Sequence, residues 1–309
     1  MPVIEVHRLR KTYGSLVAVD DLDLTVHSAE IFGVVGPNGA GKTTTVECIA
    51  GLRIPDGGSI RVLGYDPHTD RSPVRQRVGV QLQESALPAK IRVGEVMEMF
   101  ASFYRHSLDV PDLVESFGLA AHRDAYYRAL SGGLKQRLSI ALALVGDPEL
   151  AILDELTTGL DPHARQETWA LIESVRARGV TVVVVTHSME EAERLCDRVA
   201  VIDHGRLIAC GTPTELTEQS GGLTRMSFRT SASFPDVLLT VLPDVMSVHR
   251  QGDTVVVTGV RDVVTDVVLA LHEAGIRTRA VRVDSASLEQ AFLSLTEGPT
   301  SPPATGGTR

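Results

Sequence analysis

Gly36-Pro37-Asn38-Gly39-Ala40-Gly41-Lys42-Thr43-Thr44 is the stretch on which the reading of this chain turns. The apolar run Ile31, Phe32, Gly33, Val34, Val35 precedes it and reads as a buried strand. Thr45 to Gly51 follows it and reads as a helix ended by glycine.

Strand, glycine-rich loop and helix in that order form a P-loop, whose chemistry is polyphosphate binding. Gly36, Gly39 and Gly41 let the backbone turn tightly and aim its N–H groups inward, and the helix N-terminus adds partial positive charge. Lys42 is placed to reach the β- and γ-phosphates, and the Thr43 hydroxyl to ligate Mg²⁺.

The chain has 309 residues, enough for two domains, one of them with a full α/β core. A net charge of −9 argues against a nucleic-acid surface, which needs clustered Lys and Arg. Cys48, Cys196 and Cys210 lack CxxC pairing and suggest neither a disulfide framework nor a zinc site, so they read as small apolar residues in a reducing compartment. The N-terminus has no basic segment followed by an apolar one, and no run approaches the ~20 apolar residues of a membrane span. If a membrane is involved, another chain crosses it.

Outward from the P-loop, Val3 to Val6 and Leu22 to Val26 read as short strands, with Tyr13 in the turn between them. Tyr13 is either an exposed turn aromatic or a platform for a nucleotide base. Val78 to Gln83 reads as a strand ending in a polar side chain, and from Val93 onward Val96, Met99, Phe100 and Phe103 recur at helical spacing. A helical subdomain inserted at about residues 86–148 accounts for this part. Within it, Ser131-Gly132-Gly133 opens a helix from Leu134 to Leu144, as a plain capped helix or as a second set of N–H groups suited to phosphate.

Leu150 to Glu155 is an apolar strand ending in the carboxylates Asp154 and Glu155. At the carboxyl end of a strand in an open α/β sheet, one can hold Mg²⁺ and its neighbour can orient the attacking water. Thr157 to Pro162 is a turn, and Pro162 starts a helix running to about Arg178. Val180 to Val185 reads as a central parallel strand, and His187 just beyond it ends on the same sheet edge as the P-loop and Glu155. Linker composition at Gln219 to Gly222 separates residues 1–220 from a small α+β domain at 221–297, and 298–309 reads as a disordered tail. In that domain Val264, Val267, Val268 and Leu271 line one face of a helix from Asp262 to Ala274.

The P-loop, Leu130-Ser131-Gly132-Gly133-Leu134, the acidic strand end and the following histidine come in the order of the ABC transporter ATPases, which residues 2–217 resemble. The resemblance implies an α/β P-loop NTPase core with an antiparallel β subdomain. It makes Gly36 to Thr44 the Walker A loop, Tyr13 the base-stacking aromatic, and Gln83 the glutamine that senses Mg²⁺ and contacts a transmembrane partner. Ser131 to Gly133 becomes the signature, Asp154 the Walker B aspartate, Glu155 the catalytic glutamate, Asp161 the D-loop aspartate and His187 the switch histidine. The family has Pro after the catalytic glutamate where this chain has Leu156, and often Gln where it has Leu134. Losing that proline frees φ and adds an N–H, with modest kinetic consequences expected.

The resemblance further implies a sandwich dimer in which the signature of one subunit closes over the ATP held by the P-loop of the other. Residues 223–297, with Ser287 to Phe292, resemble the C-terminal extension of drug-export ATPases of the daunorubicin-resistance kind. The expectation is an ATPase subunit at the cytoplasmic face of the membrane, driving export of a hydrophobic compound through a separate transmembrane permease. The alternative is a soluble ABC ATPase that remodels a protein or ribonucleoprotein complex. Such proteins often have two cassettes or basic arms, and neither is seen here. A P-loop kinase or GTPase has no use for the signature.

Overall fold

The computed structural model describes residues 1–82, 87–219, 223–260, 263–284 and 287–297. The chain divides into two compact units, Met1–Pro213 and Thr214–Arg309.

The first unit opens with β1 (Pro2–Tyr13) and β2 (Leu16–His27), followed by β3 (Ile31–Val35), α1 (Lys42–Ile49), β4 (Gly57–Val62), α2 (Arg71–Arg77) and β5 (Val78–Gln81). Next come α3 (Val93–Ala101), α4 (Val110–Ser116), α5 (Gly132–Leu144), β6 (Leu150–Asp154), α6 (Pro162–Ala177) and β7 (Thr181–Thr186). Then α7 (Met189–Leu195), β8 (Arg198–Asp203) and β9 (Arg206–Gly211) follow, and α8 (Pro213–Gln219) spans the division between the units. β2, β1 and β4 form an antiparallel sheet, while a six-stranded sheet has the order β5-β6-β7-β3-β8-β9. In the larger sheet all neighbours are parallel except the edge strand β9.

β3, β6 and β7 are buried along their whole length, as the apolar composition of a doubly covered parallel sheet requires. Between the two sheets lies α1. Its Val46, Cys48 and Ile49 share one core with Ile4, Leu22 and Leu24 on one side and Phe32, Ile152 and Val183 on the other. This packing fixes the P-loop helix rigidly beneath its loop.

Three sequence expectations change. β1 and β2 run far beyond Val3 to Val6 and Leu22 to Val26, because register shifts and left-handed residues such as Arg8 (φ 45°) and Asp21 (φ 53°) interrupt the apolar alternation. α3 buries Val93, Val96 and Met97, whereas Met99 and Phe103 are 40% and 62% exposed. Phe103 lies past the helix end, where its ring tilts against Phe100. In the second unit the buried stripe is Val263, Val267 and Leu271, and Val268 faces outward.

That second unit comprises β10 (Thr224–Thr230), α9 (Val237–Thr240), β11 (Val245–Gln251), β12 (Thr254–Gly259), α10 (Val263–Glu273), β13 (Thr278–Asp284) and α11 (Leu288–Glu297). The antiparallel order β11-β12-β10-β13 with this connectivity is ferredoxin-like. Met226, Phe228, Val255 and Val257 pack under α9 and α10 to form its core. The expected linker residues 220–222, Gln83 and the tail at 298–309 lie outside the described residues.

Candidate nucleotide site

The C-terminal ends of three adjacent strands, β6, β7 and β3, carry Asp154 and Glu155, His187, and the P-loop. Strand order alone thus gathers residues more than 140 positions apart in sequence at one edge. Gly36 has φ 154° and Gly41 φ 98°, and a Cβ at either would stand 2.0 Å from the Ile202 carbonyl oxygen or 2.2 Å from that of Ala18. Only glycine allows the loop to pass so close to the neighbouring backbone.

A cavity of about 400 Å³ opens at the loop, lined by Asn38, Gly39, Gly41, Lys42, Thr43, Thr44 and Glu155 together with Tyr13, Leu16, Val17 and Ala18. Gly36, Pro37 and Ala40 do not line it. The first two turn their carbonyls to Lys42, and Ala40 is buried in the core. Lys42 Nζ donates to Gly36 O and Pro37 O at 2.8 Å each. Burial lowers its pKa, against the opposing charges of Glu155 and Asp154. Tyr13 is 40% exposed, with Lys11 Nζ and the Arg53 guanidinium each 5.5 Å from its ring centre.

Asp154 is fully buried, and its carboxyl pKa is pushed up to about 6, by burial first and by the Glu155 charge second. Thr43 Oγ1 donates to its Oδ2 at 3.3 Å, whereas its Oδ1 is buried with no hydrogen-bond partner among the described residues. A buried carboxylate oxygen left unpaired beside a threonine hydroxyl is a donor set that suits Mg²⁺, a cation that takes one or two protein oxygens and fills its shell from phosphates and water.

Glu155 has φ 50°, a left-handed conformation that costs a non-glycine residue on the order of 1 kcal/mol and persists where the surroundings over-determine it. Here its N–H donates to Val185 O at 2.9 Å, and Leu156 behind it is wholly buried. Its Oε1 lies 3.3 Å from Nδ1 of His187. Glu155 is mostly shielded while His187 is about half exposed.

Ser131, Gly132, Gly133 and Asp161 do not join these residues. They line a second cavity of about 480 Å³ with Leu134 and Leu160, and among the described residues none is common to the linings of the two cavities. Both polar residues cap helices: Ser131 Oγ accepts from Leu134 N at 3.3 Å, and Asp161 Oδ1 accepts from His163 N and Ala164 N at 3.0 Å each. The Ala164 N–H is the main cause that holds the Asp161 carboxyl below the usual range. Gly132 and Gly133 form the first turn of α5, so their N–H groups belong to the helix end that is free of intrahelical partners.

One residue escaped the sequence reading. Gln81, buried at the end of β5, accepts the Asp154 N–H on its Oε1 at 3.0 Å and donates Nε2 to Leu82 O at 2.8 Å. It ties the end of β5 to the strand end that bears Asp154. Its position two residues before Gln83 was the only signal available.

Residues 19–158 match the ABC transporter family. The chain is 45% identical over 226 residues to the Nod factor export ATP-binding protein I of Cupriavidus pinatubonensis, a match covering 71% of this chain and 69% of that protein. It is 35% identical over 306 residues to the daunorubicin/doxorubicin resistance ATP-binding protein DrrA of Streptomyces peucetius, covering 96% and 93% respectively. A solved structure of the ATP-binding subunit of an ABC transporter superposes with a TM-score of 0.65 at 29% identity, over 71% of this chain and 93% of the other. With relatives of this identity and coverage behind the geometry, the chain belongs to the ABC transporter family, as one of its ATP-binding, ATP-hydrolysing subunits.

Proposed function

We propose that this chain powers an ABC exporter, hydrolysing ATP to move a hydrophobic, drug-like or lipid-like cargo through a separate transmembrane permease. The observation that carries the hydrolytic part is the meeting of Lys42, Thr43, Asp154, Glu155 and His187 around the C-terminal ends of β3, β6 and β7. The export part rests on the relatives named for Nod factor export and daunorubicin/doxorubicin resistance. Among the described residues no helix is long and apolar enough to cross a membrane, which is why the permease is a separate chain in this reading. The working place is then the cytoplasmic face of the membrane, reached through the permease.

In the mechanism, the N–H groups of the cavity-lining loop residues, Asn38, Gly39 and Gly41 to Thr44, cradle the phosphates and Tyr13 stacks on the base. Lys42 exchanges its carbonyl partners for the β- and γ-phosphate oxygens. Thr43 and Asp154, with Gln83, hold Mg²⁺, which when bound neutralises charge on the β- and γ-phosphates. Glu155 orients the attacking water and takes its proton, and His187 holds Glu155 by the contact at 3.3 Å. Ser131, Gly132 and Gly133 bind the γ-phosphate held by a second subunit, a homodimer in the simplest case, and Asp161 lies along the same interface. Two half-sites in separate cavities favour this arrangement, since neither surrounds a nucleotide alone. Residues 1–220 serve as the ATPase domain, with the helical subdomain at about 86–148, and 221–297 as an accessory domain.

The test is Glu155→Gln in the purified chain. Nucleotide binding is expected to persist while steady-state turnover falls by at least about 10²-fold. Normal turnover by this variant overturns the assignment. Copurification of the chain with a multi-span membrane protein tests the export reading, and association with ribosomes instead contradicts it.

A further inference from the structure

The switch histidine is held from behind by a joint between two helices. α6 is capped by Asp161 and starts at Pro162, and α7 starts immediately after His187 and Ser188. Along α6, Arg165, Trp169 and Glu173 recur every four residues and therefore share one face. Each meets a residue of α7. Arg165 Nη1 donates to Glu190 Oε2 at 2.9 Å, Trp169 Nε1 donates to Glu191 Oε1 at 3.1 Å, and Arg194 Nη1 donates to Glu173 Oε1 at 2.7 Å.

The outer two contacts are exposed ion pairs, which count for little individually. The middle one is different. Glu191 is fully buried and Trp169 is 7% exposed, and the second carboxylate oxygen of Glu191 is buried with no hydrogen-bond partner among the described residues. A buried carboxylate with one neutral donor is an expensive arrangement for stability alone, because an apolar pair of the same shape costs less. It does, however, tie one buried point of α7 to one buried point of α6.

That geometry leads directly to the site. Glu191 N–H donates to Ser188 Oγ at 3.2 Å, and Ser188 N–H donates to Thr186 Oγ1 at 2.9 Å, so both neighbours of His187 are tied down. Beyond them stands His187 Nδ1, 3.3 Å from Glu155. We propose that Trp169 and Glu191 are positioning residues for hydrolysis: their buried hydrogen bond sets α7 in register on α6, and thereby sets His187 against Glu155. The same joint makes the placement of His187 depend on α6, whose N-cap Asp161 and first-turn residues His163 and Ala164 line the signature cavity. This inference rests on the role proposed above for Glu155 and His187.

The experiment compares the wild-type full chain with Glu191→Gln, Glu191→Leu and Trp169→Phe in steady-state ATP turnover and in equilibrium nucleotide binding. Glu191→Gln keeps an acceptor for the indole N–H and is expected within about threefold of wild-type kcat. Glu191→Leu and Trp169→Phe are expected to lower kcat on the order of tenfold, with KM and nucleotide affinity within about twofold. Added to His187→Ala, Glu191→Leu is expected to change the residual turnover by less than about twofold, since its effect passes through the histidine. Should either single variant fail to fold, the pair Trp169→Phe with Glu191→Leu, which removes donor and acceptor together, carries the same test. The proposal is overturned by wild-type kcat without the hydrogen bond, by a Gln variant as impaired as the Leu variant, by KM rising in step with the loss of kcat, or by effects that multiply in the His187→Ala background. Glu155→Gln, measured alongside, separates the failures: if it turns over normally, the hydrolytic site itself is misassigned.

Discussion

Asp154 gives a prediction that needs neither nucleotide nor partner. In the chain without Mg²⁺ its carboxyl titrates near pH 6 instead of 3.8, because it is buried and faces the Glu155 charge. A folded-state pKa above the unfolded value means that the folded chain binds this proton more tightly. The penalty for the ionised form is therefore absent below about pH 3.8, grows as the pH rises to about 6, and is complete above that. At about 1.4 kcal/mol per pH unit, the full penalty is about 3 kcal/mol. For a unit of this size 1 kcal/mol moves the melting temperature by about 2–4 °C, so the full penalty is worth about 6–12 °C, of which roughly half, about 3–6 °C, develops between pH 5 and 8. The assay is thermal unfolding of wild type and Asp154→Asn between pH 5 and 8 in a chelator. Whatever contacts the amide gains or loses shift the variant equally at every pH. The difference in melting temperature is expected to move in favour of Asp154→Asn as the pH rises, and to level off above about pH 7. A difference that stays constant across the range, or moves the other way, refutes the argument. Mg²⁺ with ATP is expected to raise the melting temperature of the wild type at pH 8 and to do far less for the variant.

Gly41→Ala puts a methyl 2.2 Å from the Ala18 carbonyl oxygen at φ 98°, so the loop shifts by about 1 Å and nucleotide affinity is expected to fall at least about 10²-fold by equilibrium titration. Gly39→Ala meets nothing within 4 Å of the new Cβ, and its cost stays near the ~1 kcal/mol of the left-handed conformation, readable as a small loss of melting temperature. His187→Ala is expected to cut turnover about 10²-fold while leaving nucleotide binding within a few-fold, measured by single-turnover kinetics and titration. Ile152→Ala, in the middle of the fully buried β6, is expected to destabilise the first unit by about 2–5 kcal/mol in denaturant unfolding.

The sequence made the phosphate chemistry legible because that chemistry is local. A strand, three glycines, a lysine and a threonine fall within one short stretch, and Ser131 caps its helix as its position before Gly132 and Gly133 predicts, whereas the cap that Asp161 supplies to α6 emerges only in the structure. The strand ends at Glu155 and His187 were equally visible as apolar runs stopping at polar residues. What the sequence could not show depends on pairings between distant segments. Gln81 acquires meaning only because β5 lies beside β6, and Trp169 only because α6 lies against α7. Amphipathic counting also read the face of α3 only in part: Val96 is buried, but Met99 and Phe103 fit the helical spacing yet lie exposed. Periodicity identifies an apolar stripe, and tertiary packing decides how much of it is covered. The same limit applies to β1 and β2, whose bulges hid more than half of each strand.

The account stands on ATP being held between two chains, so the most direct measurement is the solution mass of Glu155→Gln with and without Mg²⁺ and ATP. The account predicts a monomer without nucleotide and twice that mass with it, since ATP is bound but not consumed. Adding Ser131→Arg, which fills the signature cavity of each chain, is predicted to return the mass to that of the monomer while each P-loop still binds nucleotide. A chain that binds ATP and remains monomeric, or a dimer indifferent to Ser131→Arg, contradicts it.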